Sequence, residues 1–407
     1  MKLVNSVLVL IWLIVFPVHA GVLWQLQTSH GVFAPPLLHN NVLYLANGNT
    51  LRALSLQGES LWQHQLSSQT WSTPTIAGGL LLLQTEQGLQ AFNLTGRLIW
   101  QHHSDDGPHL VNWGWGQGNY ADPWNWYRSS VSVADGAAYY GSRAGTYAVR
   151  VSDGQQLWHQ NTGTTHTQPA VAQGVVVVGS WNNRLYGLSA QHGHILWQFE
   201  SPVPEGELGG WDGWLGFNLA PLIDGEHLYV GSRSTWFFKL SLKDGHEVWS
   251  TKHASSWIGS KALVHHEIVY YGLSDGLALV GQQTDSGNIE HLVLSPHLIF
   301  AAPVAVGEQL YFATLSGELF SYHPVSKEMK RQFQTQSSRA HYQTYVRQGG
   351  GPLYQPLDPQ LTPHQASVKQ VTDMLEDMDS IVSLSAANGI LYLGLANGRL
   401  LAWRPDE

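Results

Sequence analysis

A strand-rich unit of about 38 residues recurs along this chain, and no other feature of the sequence limits the fold so strongly. Each copy reads as a short strand, a Gly or Asn turn, two further strands, a second Gly turn and a fourth strand that usually carries Trp. The copies occupy residues 34–62, 72–100, 129–158, 167–197, 219–249, 259–292, 301–333 and 380–407. Alternating apolar and polar residues between tight turns are typical of half-buried strands, so the repeat predicts four antiparallel strands per unit.

The eighth copy stops after its third strand, and the missing strand is found at the other end of the chain. Residues 21–25 read GVLWQ, match the fourth strands around Trp62 and Trp100, and belong to no unit of their own. A ring closed by this segment leaves no open sheet edge between the first and last units. The sequence therefore predicts an all-β fold, an eight-bladed β-propeller with four antiparallel strands per blade, whose last blade is closed by the N-terminal strand. The alternative, a pair of β-sandwiches, does not explain the split repeat.

Residues 1–20 have the pattern of a secretory signal peptide. Lys2 precedes an unbroken apolar run at 7–16, and the small residue Ala20 marks a cleavage site before Gly21. A membrane anchor is the alternative, but the run is shorter than the roughly 20 residues that a helix needs to span a bilayer. We therefore expect a periplasmic protein without a membrane span. The absence of Cys suits an oxidising compartment.

Residues 21–407 are predicted to form one propeller with insertions at 104–128, 201–218 and 336–379. In the last insertion, Val371 and Leu375 belong to a set of apolar residues at helical spacing, which predicts a short amphipathic helix near 365–379. A disordered acidic linker is the alternative for that stretch. The net charge of −9 argues against a nucleic-acid partner, because such a partner requires a basic surface.

The turn between the third and fourth strands resembles the repeat motif of pyrroloquinoline-quinone-type propellers, Ala-x-Asp-x-x-Thr-Gly-x-x-x-Trp. Residues 148–158 (AVRVSDGQQLW), 187–197 (GLSAQHGHILW) and 239–249 (KLSLKDGHEVW) keep its glycine and tryptophan, although its Asp is replaced. Glycine suits a hairpin position with positive φ, and a large Trp on the outer strand packs between blades. We therefore predict a structural role for the repeat tryptophans, which are Trp24, Trp62, Trp100, Trp158, Trp197 and Trp249.

This resemblance implies the propeller fold, but it does not by itself imply a cofactor. Quinoprotein dehydrogenases of this type have a vicinal disulfide beneath the quinone and a calcium ion held by acidic residues. This chain has no Cys and no acidic cluster with the required spacing, so we expect no cofactor; pyrroloquinoline quinone with calcium is the alternative. In length, blade number and export, the chain is more similar to the propeller subunits of the outer-membrane barrel-assembly machinery. Those subunits are lipoproteins, whereas this chain lacks the lipidated Cys.

Ten tryptophans outside the repeat position map to one face of the predicted propeller. In a four-stranded antiparallel blade, the loop between the second and third strands lies on the same face as the connection to the next blade. These two kinds of segment carry all ten, and we call this side the tryptophan face; its tryptophans are Trp71, Trp113, Trp115, Trp124, Trp126, Trp181, Trp211, Trp214, Trp236 and Trp257. Arg128, Arg143 and Arg233 fall on the same face and are suited to a carboxylate or phosphate, and His166 is placed near the channel mouth.

We predict that these residues form a ligand- or partner-binding surface, because Trp and Arg are enriched in binding hot spots. The alternative is that the insertions fold into a small core of their own and cap the channel. In that case the tryptophans fill the core of the cap and do not contact a ligand or partner.

The sequence contains no recognisable catalytic or metal-binding pattern. It has no G-x-S-x-G elbow and no HExxH helix, and the adjacent pair His265–His266 has no carboxylates at ligand spacing. We therefore predict neither catalytic residues nor a metal site. The expected function is that of a non-enzymatic, monomeric periplasmic scaffold that binds envelope proteins in outer-membrane assembly. A small-molecule or glycan receptor and a divergent quinone-dependent dehydrogenase are the alternatives.

Overall fold

The computed structural model describes residues 21–104, 110–112, 119–121, 130–203, 215–254 and 256–405. Its strands form eight antiparallel blades arranged in a ring, which confirms the predicted eight-bladed β-propeller. A separate two-stranded hairpin, Leu110–Asn112 with Asn119–Ala121, follows the second blade.

Each blade is an antiparallel sheet, and in blades 1 to 7 the strands are ordered as in the sequence. The strands of blades 1 to 4 are Leu37–His39, Val42–Leu54 and Ser60–Thr70; Thr75–Ala77, Leu80–Thr85, Gly88–Asn93 and Leu98–His103; Ser132–Ala134, Ala137–Ser142, Gly145–Arg150 and Gln156–Gln160; and Ala170–Ala172, Val175–Gly179, Arg184–Ser189 and Ile195–Glu200. Those of blades 5 to 7 are Leu222–Asp224, His227–Gly231, Trp236–Ser241 and Glu247–Lys252; Leu263–His265, Ile268–Gly272, Ala278–Gln283 and Ile289–Leu294; and Val304–Val306, Gln309–Ala313, Glu318–His323 and Glu328–Gln334. Blade 8 contains Ile381–Ala387, Ile390–Leu395, Arg399–Arg404 and the N-terminal strand Gly21–Gln27.

Blade 1 departs slightly from the pattern, because its second and third strands are continuous as Val42–Leu54. Gly48, with φ of 55°, lies between the two halves. Blade 8 closes the ring as predicted: Gly21–Gln27 pairs with Arg399–Arg404, with Gly21 opposite Arg404 and Gln27 opposite Arg399.

Each of the six repeat tryptophans joins its blade to the next. The indole Nε1 of Trp158, on blade 3, donates a hydrogen bond to the carbonyl of Ala190 on blade 4 over 2.9 Å. The same ring lies against Gly193, where an added Cβ would be 2.5 Å from the indole. The glycine of the motif thus provides a positive φ and also leaves room for the neighbouring Trp. The other pairs are Trp24 with Gly58, Trp62 with Gly96, Trp100 with Gly154, Trp197 with Gly245 and Trp249 with Gly287.

The insertion between blades 7 and 8 contains two helices, α1 (Gln336–Tyr345) and α2 (Pro363–Asp377). α2 covers most of the stretch predicted to be helical and begins with a capping box formed by Thr362 and Gln365. α1 was not predicted, since its sequence is polar and has little apolar periodicity. The hydroxyl of Tyr345 donates to Asp377 over 2.6 Å and ties the two helices together.

A buried carboxylate attaches α1 to blade 7. Glu318 is 1% exposed, accepts a hydrogen bond from Ser316 over 2.7 Å and pairs with Arg331 at 3.0 Å. Burial and the contact with Glu318 raise the pKa of Tyr342, on α1, to about 12. In the described ranges, neither this helix nor the other has the length and apolar character that crossing a membrane requires.

Candidate binding site on the tryptophan face

One loop position recurs in five consecutive blades and carries the most distinctive side chains of the tryptophan face. The loop between the second and third strands begins with a hydroxyl residue in blades 4, 5 and 7, namely Ser180, Ser232 and Thr314; in blade 3 the matching Ser142 ends the second strand, and in blade 6 the loop begins with Leu273. The residue after the hydroxyl residue is Arg143, Trp181, Arg233 and Leu315 in blades 3, 4, 5 and 7; in blade 6 Ser274 takes this place, because its N–H donates to Trp257 O as Arg233 N donates to Gly216 O. Because the blades repeat around a ring, these residues occupy equivalent places around the channel.

Arg233 lies between two aromatic rings. Its Cζ atom is 4.8 Å from the ring centroid of Trp181, in the blade 4 loop, and 4.4 Å from that of Trp257, in the connection into blade 6. Arg233 is only 1% exposed, and both tryptophans are partly buried. A guanidinium over an indole face is favourable by roughly 0.5–2 kcal/mol, more when water is excluded. Three residues that the sequence placed on this face thus form one cluster.

Backbone hydrogen bonds fix the segments that carry this cluster. Trp181 N donates to Thr164 O over 3.0 Å, and Arg233 N donates to Gly216 O over 3.0 Å. Trp257 N donates to the hydroxyl of Ser274 over 3.1 Å. The Arg233–Trp cluster is therefore held by a network that spans blades 4, 5 and 6.

The last residue of these loops adopts the left-handed backbone region. Asn183, Gly317 and Gly398 occupy this position with φ of 66°, 70° and 88°, as expected for Asn and Gly. Thr235 and Leu277, in the loops of blades 5 and 6, adopt φ of 75° and 46° without either of those side chains. A β-branched or bulky residue with positive φ is unusual and strained. The two strained loops flank Trp257.

The helical insertion covers the centre of the tryptophan face. Tyr345, Val371 and Met374 of the insertion pack with Leu298, Phe300 and Leu315 of the propeller, and Trp181, Trp257 and Phe33 lie against this cluster. Because blades 4 and 8 lie on opposite sides of the ring, the cluster crosses the mouth of the channel. This contact is what the cap alternative expects of Trp181 and Trp257.

Several titratable side chains lie near the Arg233–Trp cluster, where the insertion meets blade 6. Burial raises the pKa of Asp275, and nearby Arg347 opposes this shift. Burial, and to a smaller extent the charge of Asp275, raises the pKa of Tyr354. Lys261, in the same connection as Trp257, has a pKa lowered by burial. Asp275 and Tyr354 nevertheless remain exposed to solvent.

The remaining described residues of the predicted site lie apart from the Arg233–Trp cluster. Trp71 lies in the connection into blade 2, on the opposite side of the ring from Trp257. Arg143 is exposed on blade 3, and His166 is 1% exposed in the connection into blade 4. Trp236 was assigned to a loop, but it is the first residue of a strand. Its ring stacks on Phe238, with centroids 6.1 Å apart, and packs between blades 4 and 5.

Seven predicted site residues lie outside the described residues: Trp113, Trp115, Trp124, Trp126, Arg128, Trp211 and Trp214. The prediction that they contribute to binding is unchanged. Sequence reasoning did not identify Asp275, Arg347 or Tyr354. Alignment of the repeats places Asp275 in the blade 6 loop of this face, directly after Ser274, which takes the place of Arg233.

Comparisons with known proteins agree on one family. The family model described as outer membrane protein assembly factor BamB matches residues 19–114, 112–210 and 147–407. The BamB proteins of Yersinia pestis and Escherichia coli are 24% identical to the chain over 216 residues. That match covers 48% and 47% of the chain, so the chain spans about half the length of the curated relatives it matches, 49% in each case.

Solved structures with the same fold are more distant in sequence. BamB from Moraxella catarrhalis superposes with a TM-score of 0.67 at 13% identity, over 95% of this chain and 100% of that one. The computationally designed Ika8 protein gives a TM-score of 0.63 at 12% identity, over 93% of this chain and 98% of that one. At these identities the likeness establishes the fold alone.

Proposed function

The chain belongs to the outer membrane protein assembly factor BamB family, and on that premise we propose that it is a non-enzymatic scaffold of the cell envelope. It would act in the periplasm, after removal of residues 1–20, and would bind a protein of the outer-membrane assembly apparatus through its tryptophan face. Residues 1–20 lie outside the described residues.

We choose this face because of one observation: apolar side chains are exposed there on a segment whose backbone is held by hydrogen bonds. The rim segment, residues 352–361, joins α1 to α2 and exposes 39% of Leu353, 42% of Tyr354 and 46% of Leu357. Leu353 N donates to Tyr345 O over 2.7 Å at the start of this segment. Just before it, Gly351 N donates to Pro296 O over 2.8 Å. Anchors that are already ordered lose little conformational entropy on binding, which favours affinity.

The outer edge of the propeller exposes apolar residues as well, but in a different arrangement. Leu61, Leu157 and Leu196 each precede a repeat Trp on the outer strand of a different blade, with exposed fractions of 54%, 44% and 46%. Such residues are spread around the ring, and scattered apolar side chains are normal on a protein surface. The rim segment instead has its three apolar residues within five positions of one another, and Tyr354 lies near Asp275 and Arg347, which supply polar contacts at the border of a binding surface.

Site-specific photo-crosslinking in intact cells tests the proposal. A benzophenone amino acid replaces Tyr354 in one strain and Val325 in a second. Val325 is 83% exposed and lies in the blade 7 turn on the opposite face, so it is a matched apolar control. We expect an ultraviolet-dependent adduct with an outer-membrane assembly protein from position 354 and none from position 325.

Two results would contradict the proposal. The first is that position 354 gives no adduct, and the second is that position 325 gives the same adduct with the same yield. Binding energy is tested with Leu357→Ser, which we expect to reduce co-purification of the captured protein at least fivefold. Val325→Ser should leave it unchanged.

The alternative of a quinone-dependent dehydrogenase can be measured directly. Mature protein is titrated with pyrroloquinoline quinone and Ca²⁺ while tryptophan fluorescence is recorded. Saturable quenching at micromolar quinone that is lost in the Trp181→Phe variant would support the dehydrogenase over the scaffold. A flat titration is the result expected for a scaffold.

A further inference from the structure

Three side chains with metal-binding atoms meet on the face opposite the tryptophan face. His265 is the last residue of the first strand of blade 6, and His266 follows it in the turn to the second strand. Glu308 lies in the corresponding turn of blade 7. Blade 7 packs beside blade 6 in the ring, and this brings Glu308 next to the two histidines.

The donor atoms are close enough to share an ion. One ring nitrogen from each histidine and one carboxylate oxygen of Glu308 all lie within 4.8 Å of one another. The closest pair is His266 Nε2 and Glu308 Oε2, at 3.1 Å. Tetrahedral zinc sites, with bonds of roughly 2.0–2.1 Å, hold their ligand atoms about 3.3 Å apart. His266 and Glu308 are both exposed, so their side chains are not held in place by surrounding core residues.

The turn that carries His266 has an unusual sequence for its backbone. His266 and Glu267 adopt left-handed φ values of 49° and 60°. The corresponding turns of the other seven blades contain Gly or Asn, for example Asn40–Asn41 in blade 1 and Gly78–Gly79 in blade 2. Other side chains in this conformation cost roughly 1–2 kcal/mol each. Local stability therefore does not explain why these residues occupy the turn.

The half-buried ring of His265 also has a nitrogen available to an ion. Nε2 of His265 is buried and has no hydrogen-bond partner among the residues that the structure describes. Two imidazoles with one carboxylate suit zinc, copper and nickel better than calcium or magnesium.

We propose that His265, His266 and Glu308 bind one divalent transition-metal ion, with Zn²⁺ as the representative, and that the ion links blade 6 to blade 7. The three protein ligands leave a fourth position for water or for a side chain of a partner. The site does not depend on the proposed scaffold function, because it lies on the opposite face.

Metal titration of the full mature protein, without a purification tag and after chelator treatment, tests this site. We expect one Zn²⁺ equivalent by calorimetry, and one Co²⁺ equivalent with the visible absorption of a four-coordinate ion. His266→Asn and Glu308→Gln should each weaken binding at least tenfold. Asn is chosen because Asn40–Asn41 occupies the same turn in blade 1, so the variant should fold.

A control pair separates this site from adventitious binding. The rings of His192 and His194 stack with centroids 6.2 Å apart, and no metal-binding group among the described residues includes them. His192→Ala should leave affinity and stoichiometry unchanged. The proposal is overturned if the wild type binds no metal at stoichiometric concentration, or if His266→Asn and Glu308→Gln bind as tightly as the wild type.

Discussion

Replacement of Gly193 by Ala tests whether the contact between Trp and Gly holds adjacent blades together. Gly193 has φ of 75°, where an Ala side chain costs about 1 kcal/mol or slightly more. The new Cβ would also lie 2.5 Å from the indole of Trp158, so the ring must move. Overpacking of this kind costs about 1–3 kcal/mol, and loss of the Trp158–Ala190 hydrogen bond adds about 1 kcal/mol. We expect the free energy of unfolding to fall by about 3–5 kcal/mol.

The matched control lies in the same blade. Gly174 has φ of 77°, nearly the same backbone conformation, and no atom lies within 4 Å of an added Cβ. Gly174→Ala therefore carries the backbone cost alone, about 1 kcal/mol. Urea unfolding followed by far-ultraviolet circular dichroism measures both variants against the wild type.

A double variant attributes the difference to the indole itself. In the Trp158→Ala background the ring is absent, so Gly193→Ala should cost only about 1 kcal/mol. The reasoning is refuted if Gly193→Ala and Gly174→Ala destabilise the protein equally, or if the cost of Gly193→Ala is the same with and without Trp158.

Two further predictions concern acid stability and ring closure. His297 is fully buried, neither ring nitrogen has a hydrogen-bond partner within the described ranges, and burial lowers its pKa to about 3. The unfolded chain takes up this proton near pH 6.5 while the folded chain does not, so stability is lost as pH falls from about 6.5 towards 3, by about 2 kcal/mol at pH 5. His297→Leu should remove this part of the loss in urea unfolding at pH 7.5 and pH 5, whereas parallel pH profiles for variant and wild type would contradict it. Deletion of residues 21–27 should leave the edge Arg399–Arg404 unpaired, and we expect a lower midpoint of thermal unfolding that an added peptide GVLWQLQ restores; an unchanged midpoint in the deleted protein would contradict the closure.

Much of the fold could be predicted from the sequence because its determinants are local and repeated. Alternation of apolar residues marks each strand, and turns such as Gly78–Gly79 mark each hairpin. The unmatched strand at 21–27 and the incomplete eighth copy identify the closure, since each lacks what the other supplies. The same repetition predicted which tryptophans occupy equivalent positions.

The candidate sites could be predicted only in part, because they depend on contacts between separate repeats. The sequence placed Trp181, Arg233 and Trp257 on one face, but only the ring geometry shows that Arg233 lies between the two indoles. Trp236, two residues before Phe238 on the same strand, points to the same side of the sheet and packs between blades instead.

Two further features required the tertiary structure for the same reason. The polar α1 is stabilised by Tyr345 and by the contact of Tyr342 with Glu318, not by an apolar stripe of its own. Glu308 reaches His265 and His266 only because blade 7 packs beside blade 6. The sequence by itself determined the unit, the number of copies and the closure of the ring. The tertiary structure decided which side chains of different units meet, because those distances are set by the packing of blades around a common axis and not by spacing along the chain.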